Sequence, residues 1–118
     1  MAGPVRGEEL PWLSLVTVRG PSMVPALHPG DRLLAVQVRR LSTAGLRPGA
    51  VVLAEWSTRP GLLAIKRVVR QTSDGYWVEG DNPYGSEDSR AYGIATVRAI
   101  VLFRCWPWPP WIRATPRR

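Results

Sequence analysis

Pro-Gly pairs decide most of what this chain can fold into. "HPGD" at 28–31, "RPGA" at 47–50 and "RPGL" at 59–62 each precede a run of apolar residues. Proline presets the first corner of such a turn, and glycine gives the backbone its freedom at the second. The runs themselves are short and rich in β-branched and aromatic residues: "WLSLVTV" (12–18), "RLLAVQV" (32–38), "AVVLAEW" (50–56), "LLAIKRVV" (62–69), "YWVEG" (76–80) and "TVRAIVLFRCW" (96–106). None shows a capped 3.6-residue period, so each reads as a strand. The expected fold is all-β, a compact bent sheet or partly open barrel. With 118 residues the chain has material for one domain and not two.

Residues 1–10 are Gly, Pro and charge and are expected to be disordered; 11–106 form the folded domain. The segment 107–118 is rich in Trp, Pro and Arg and is expected as an extended strap. Trp106, Trp108 and Trp111, with Arg113, Arg117 and Arg118, suit either packing or peripheral contact with a membrane. Packing is the reading preferred for Trp106. The longest early apolar run, 10–18, is too short to span a bilayer, which leads to an expectation of a cytoplasmic protein or, alternatively, a peripheral membrane one. The net charge of +7 invites an anionic partner, but the arginines are scattered, so no specific nucleic-acid partner is expected. One His and one Cys cannot build a usual metal site, and no cofactor is implied. His28 reads as a turn residue and Cys105 as a small core residue.

Among sixteen basic residues only Lys66 is a lysine. Guanidinium stays protonated, whereas an ammonium desolvated among apolar neighbours can lose its proton and act as a general base. Alternation along the strand puts Ala64 and Val68 on the face of Lys66. A candidate nucleophile is Ser22, held in a rigid turn between Pro21 and Pro25 in "GPSMVPAL". A third segment, "GDNPYGSEDSRAYG" at 80–93, is a long loop with polar groups able to orient the amine: Ser86, Asp88, Ser89 and Arg90. A Ser hydroxyl beside a neutral Lys is a nucleophile-base pair.

The order of these three segments resembles the signal peptidase I family of Ser/Lys endopeptidases. That family's first box runs S-x-M-x-P-T-L, and "SMVPAL" differs only by Ala26 for Thr. Lys66, Arg67 and Val68 match its K-R-V. Gly80, Asp81, Asn82, Ser86, Asp88, Ser89, Arg90, Tyr92 and Gly93 match its last box. The resemblance implies a signal-peptidase-type β fold, with Ser22 as nucleophile and Lys66 as general base. It implies that Ser86 hydrogen-bonds the amine, that Asp81 pairs with Arg67, and that Asp88 and Arg90 hold the last loop beneath the dyad. Met23 and Ile65 would help line a shallow pocket for a small P1 side chain. Gly20 departs from members that carry a hydroxyl at its position, leaving the oxyanion to main-chain N–H groups, chiefly that of Ser22. Neither an N-terminal membrane helix nor an inserted subdomain is seen. In both respects the chain is similar to the small members that free the N-terminus of nickel-type superoxide dismutase by removing its leader.

The expected activity is therefore removal of an N-terminal leader from a precursor, that of nickel-type superoxide dismutase first. A membrane-associated signal peptidase acting on secretory pre-proteins is the alternative. A non-catalytic basic nucleic-acid-binding β domain would account for the charge but leave the motif loop without a purpose. Self-cleaving Ser/Lys repressors share the chemistry but need a DNA-binding domain ahead of it, for which the residues before Ser22 leave no room.

Overall fold

The computed structural model describes residues 11–38, 46–85 and 87–107. Residues 1–10, 39–45, Ser86 and 108–118, with Trp108, Trp111, Arg113, Arg117 and Arg118, lie outside them. All three Pro-Gly turns close in the same way. The N–H of Asp31 donates to the carbonyl of His28 at 3.0 Å, that of Ala50 to Arg47 at 3.1 Å and that of Leu62 to Arg59 at 3.3 Å. In each the glycine takes a positive φ (94° at Gly30, 96° at Gly49, 83° at Gly61), as the third residue of a type II turn requires.

Between the turns run six strands: β1 (Leu13–Thr17), β2 (Arg32–Gln37), β3 (Val51–Glu55), β4 (Ala64–Thr72), β5 (Gly75–Glu79) and β6 (Thr96–Trp106). They form one open antiparallel sheet in the order β1-β2-β6-β3-β4-β5. Register shifts interrupt the β2–β6, β3–β6 and β4–β5 ladders. Such bulges bend strands and sharpen their twist, which curves the sheet.

Two apolar clusters cover the two faces. One gathers Val16, Leu33, Ala35, Leu53, Ala99 and Val101, with Met23 and Leu27 from the β1–β2 connection and Leu63 and Ile65 packed against it. The other gathers Val52, Ala54, Trp56, Val68, Val78 and Val97, with Ala64 and Tyr92 packed against it. Odd and even residues of β4 thus go to opposite faces, which places Lys66 with Ala64 and Val68.

Three local expectations are corrected. The long loop 80–93 contains one helical turn, α1 (Ser89–Tyr92), because the Asp88 carboxylate caps it by accepting from the N–H of Arg90 at 3.1 Å. Cys105 is half-buried rather than a core residue, its thiol 3.4 Å from the carbonyl of Arg32. Trp106 is 60% exposed at the end of β6, so it does not pack into the domain.

Candidate active site

Ser22 occupies a tight turn in which the N–H of Val24 donates to the carbonyl of Pro21 at 3.1 Å. The next residue, Met23, has no exposed surface and anchors the turn in the core. Ser22 itself is half-buried. Before it, Gly20 has a φ of 73° with no atom near the place a Cβ would take. Backbone conformation rather than space therefore favours glycine there.

Lys66 lies in β4 opposite Val52 of β3 and is only 4% exposed. Burial is the largest influence on its amine and pushes the pKa below the ordinary lysine value. Asp88 works against that shift, Arg90 adds to it, and Glu87 again opposes it. The last loop is thus electrostatically in touch with the amine.

That loop is tied down at several points. Arg67, next to Lys66, donates through Nε and Nη2 to the two carboxylate oxygens of Asp81 at 2.9 and 2.8 Å. Both side chains are buried, and Nη1 of Arg67 also reaches the carbonyl of Gly49 at 2.8 Å. Asp88 is 1% exposed and accepts from the N–H of Gly80 at 2.8 Å and from Nη2 of Arg90 at 2.6 Å. The hydroxyl of Ser89 accepts from the N–H of Val78 at 2.9 Å, which fixes α1 to β5.

The three segments meet pairwise. Asn82 N–H donates to the Ser22 carbonyl at 2.9 Å, and the Asn82 side-chain amide donates to the Pro21 carbonyl at 3.1 Å. Arg67 and Asp81 join β4 to the last loop. Met23 and Ile65, the neighbours of Ser22 and Lys66, belong to one apolar cluster. The serine turn and the lysine strand are therefore joined through the last loop and through one apolar cluster, and an amine that has lost its proton can accept one from a hydroxyl.

Of the residues singled out in the sequence, Gly20, Ser22, Met23, Ile65, Lys66, Arg67, Asp81, Asp88 and Arg90 lie in this assembly; Ser86 is outside the described residues. Met23 has no exposed surface, while Ile65 is half-buried. The Ser89 hydroxyl supports β5 by accepting from the N–H of Val78. The sequence motif includes Asn82 but assigns it no role, whereas in the structure Asn82 clamps the serine turn. The signal was present in the Asn-Pro step, since Asn favours local main-chain bonds: Oδ1 of Asn82 accepts from the N–H of Tyr84 at 3.0 Å. His28 is exposed in its turn. Among the described residues no group of three His, Cys, Asp or Glu could hold a metal ion, and no helix is long and apolar enough to cross a membrane.

The chain is similar to membrane proteases of eukaryotes. Mitochondrial inner membrane protease subunit 1 of Homo sapiens is 29% identical over 86% of this chain and 76% of its own length. The mitochondrial ATP-independent inner membrane protease subunits 1a and 1b of Arabidopsis thaliana are 31% and 30% identical, over 80% and 75% of this chain and 71% and 68% of their own lengths. No family model and no solved structure matches the chain.

Proposed function

The chain belongs to the signal peptidase I-type family of proteases, and from that premise we propose that it is a serine endopeptidase with Ser22 as nucleophile and Lys66 as general base. The observation that carries this reading is the burial of the only lysine on the strand whose next residue, Arg67, is locked to the loop that clamps Ser22. Neutral Lys66 takes the Ser22 proton, Oγ attacks the scissile carbonyl, and the amine returns the proton to the leaving nitrogen; a water that gives its proton to Lys66 then breaks the acyl–Oγ bond and restores the serine. The main-chain N–H of Ser22 stabilises the oxyanion. Arg67 with Asp81, and Asp88 with Arg90, keep the last loop in place against the dyad.

The substrate lies extended along β4. Val68 donates its N–H to Ala50, on the β3 side, so alternation turns the main-chain groups of Ile65 and Leu63 the other way. Pairing of β4 with β5 begins only at Arg67, and among the described residues no strand adjoins that edge at 63–65. A leader peptide adds there as a strand, with a small P1 side chain on the Ile65 face.

The finer reading is that the precursor is a nickel-type superoxide dismutase. It rests on the resemblance and on the compact interior, where only a short connection separates β3 from β4. Incubating that precursor with the protein is expected to release one leader, read by intact mass. Survival of the precursor, with cleavage of a secretory pre-protein in detergent, favours the second reading. One observation supports that reading. Leu15, Leu34 and Phe103 form a cross-strand row on one face, near exposed Leu13 and Trp106. Exposed apolar surface beside basic residues suits peripheral contact with a membrane, and β1 leads from it toward Ser22.

A further inference from the structure

A cavity of about 190 Å³ opens on the sheet face that carries Lys66, lined by Trp56, Arg59, Leu62, Ala64, Glu87 and Tyr92. Ala64 is two residues before Lys66 on the same strand, a spacing of roughly 7 Å. Glu87, at the opposite wall, is close enough to influence the Lys66 amine. The cavity therefore borders Lys66, on the face away from Ile65 and Met23.

Its walls are held in place. Trp56 is 3% exposed, donates Nε1–H to the carbonyl of Gly93 at 2.9 Å and stacks at a tilt on Tyr92, with ring centroids 5.4 Å apart. The β3–β4 connection that supplies Arg59 and Leu62 is pinned by Glu55, which accepts from the N–H of Gly61 and from Arg98 Nε, both at 2.7 Å. Arg59 lies over the Tyr92 ring, donates to the Tyr92 hydroxyl and faces Glu87 at 3.7 Å. The two charges at the rim thus answer each other, and the lining between them is aromatic and aliphatic. Ala64 is the small residue that leaves the space open.

We infer that this cavity is a specificity subsite for an apolar or aromatic side chain of the substrate, at the residue flanking the small P1 residue on its Ala64 side. The inference rests on the Ser22/Lys66 reading and on the strand edge at 63–65. Successive side chains of an extended peptide point to opposite faces, so a small residue over Ile65 sends its neighbour to the face of Ala64. A charged neighbour finds no unmatched charge there and loses its hydration, whereas Leu or Phe exchanges water for Trp56, Leu62 and Tyr92. Cleavage sites are thereby read on both faces of the strand.

The test uses the whole chain and decapeptides with Ala fixed at P1 and Ala, Leu, Phe or Asp at each other position in turn. At one flanking position Leu or Phe is expected to exceed Asp in kcat/KM by about tenfold or more. Leu62→Glu, in an exposed turn, is expected to bring that ratio close to one or invert it, and Ala64→Leu, which fills the cavity, to favour Ala over Phe. Affinities of the same peptides for the Ser22→Ala protein read the subsite without turnover and should show the same order. A flat profile at every flanking position in both assays, or an unchanged profile in both variants, overturns the subsite. Cleavage that depends on Ser22 but shows no preference defeats the subsite alone. Selective binding by Ser22→Ala with no cleavage by the native chain defeats the dyad alone.

Discussion

The main-chain N–H of Asn82 donates to the main-chain carbonyl of Ser22 at 2.9 Å, while its side chain donates to the carbonyl of Pro21 at 3.1 Å. One residue of the last loop therefore holds both peptide carbonyls that flank the serine's own N–H. The first and third motif segments, about sixty residues apart in sequence, are joined here through main-chain carbonyls.

Replacing Asn82 tests what that clamp does. Asn82→Ala keeps the main-chain bond to Ser22 but loses the grip on Pro21 and the turn bond from Tyr84. Small misplacement of a nucleophile is costly, so kcat should fall by about tenfold to a hundredfold with KM little changed. Thermal melting should hardly move, since both lost bonds are near the surface. A large rise in KM with normal kcat would show that Asn82 holds substrate and not the serine turn.

The Arg67–Asp81 pair makes a prediction about stability. Asp81→Ala leaves a buried guanidinium with only part of its hydrogen bonding, a change that typically costs about 3–5 kcal/mol. Arg67→Lys cannot reproduce the two-pronged bond to Asp81 and the bond to Gly49 together, and should also destabilise. Urea unfolding of the single and double variants measures the coupling. If the double variant is as costly as the two singles added, the pair is not acting as a unit.

The strands were legible because their punctuation is chemical: Pro-Gly turns fix where each begins, and β6 runs over the same residues, 96–106, in sequence pattern and structure. Hydrophobicity alone would extend β4 back to Leu62 and Leu63. The turn bond from Leu62 to Arg59 instead holds Leu62 in the connection, and β4 starts at Ala64. The turn of helix at 89–92 escaped because four residues give no periodicity, and only the Asp88 cap marks it. At the site, residue types with unusual chemistry stood out: a lone lysine, a serine between prolines. What Asn82 does could not be seen, because main-chain contacts between distant loops leave no pattern in the sequence. The cavity beside Ala64 is hidden for a similar reason, as its six lining residues come from two stretches distant in sequence, 56–64 and 87–92.

The apolar row on β1, β2 and β6 predicts an effect on membrane binding. If it rests on a lipid surface, Leu15→Glu with Phe103→Glu should abolish sedimentation with anionic vesicles while peptide cleavage in solution continues. Both side chains are exposed, so folding should survive. Undiminished sedimentation of the double variant would remove this face from any membrane contact.

The buried amine links activity and stability through pH. Burial lowers the Lys66 pKa in the folded chain, whereas the unfolded chain keeps the ordinary value near 10.5. Between the two the unfolded chain binds more protons, so this group makes stability rise with pH across that window. Below both values the folded protein carries the whole cost of a buried charge. Lys66→Met should therefore be more stable than the native chain at neutral pH, with the difference shrinking as pH rises. Activity should also rise with pH, through the lowered pKa, as the amine becomes able to accept the Ser22 proton. Lys66→Arg keeps a charge but no usable base, and should lose a factor of several thousand or more in kcat. Ser22→Ala should be equally inactive, the double variant no worse, and His28→Ala close to native. A Lys66→Arg protein with near-native turnover would end the dyad reading, and a Lys66→Met protein less stable at pH 7 than at pH 10 relative to native would show that the amine is held as a cation by Asp88 and Glu87.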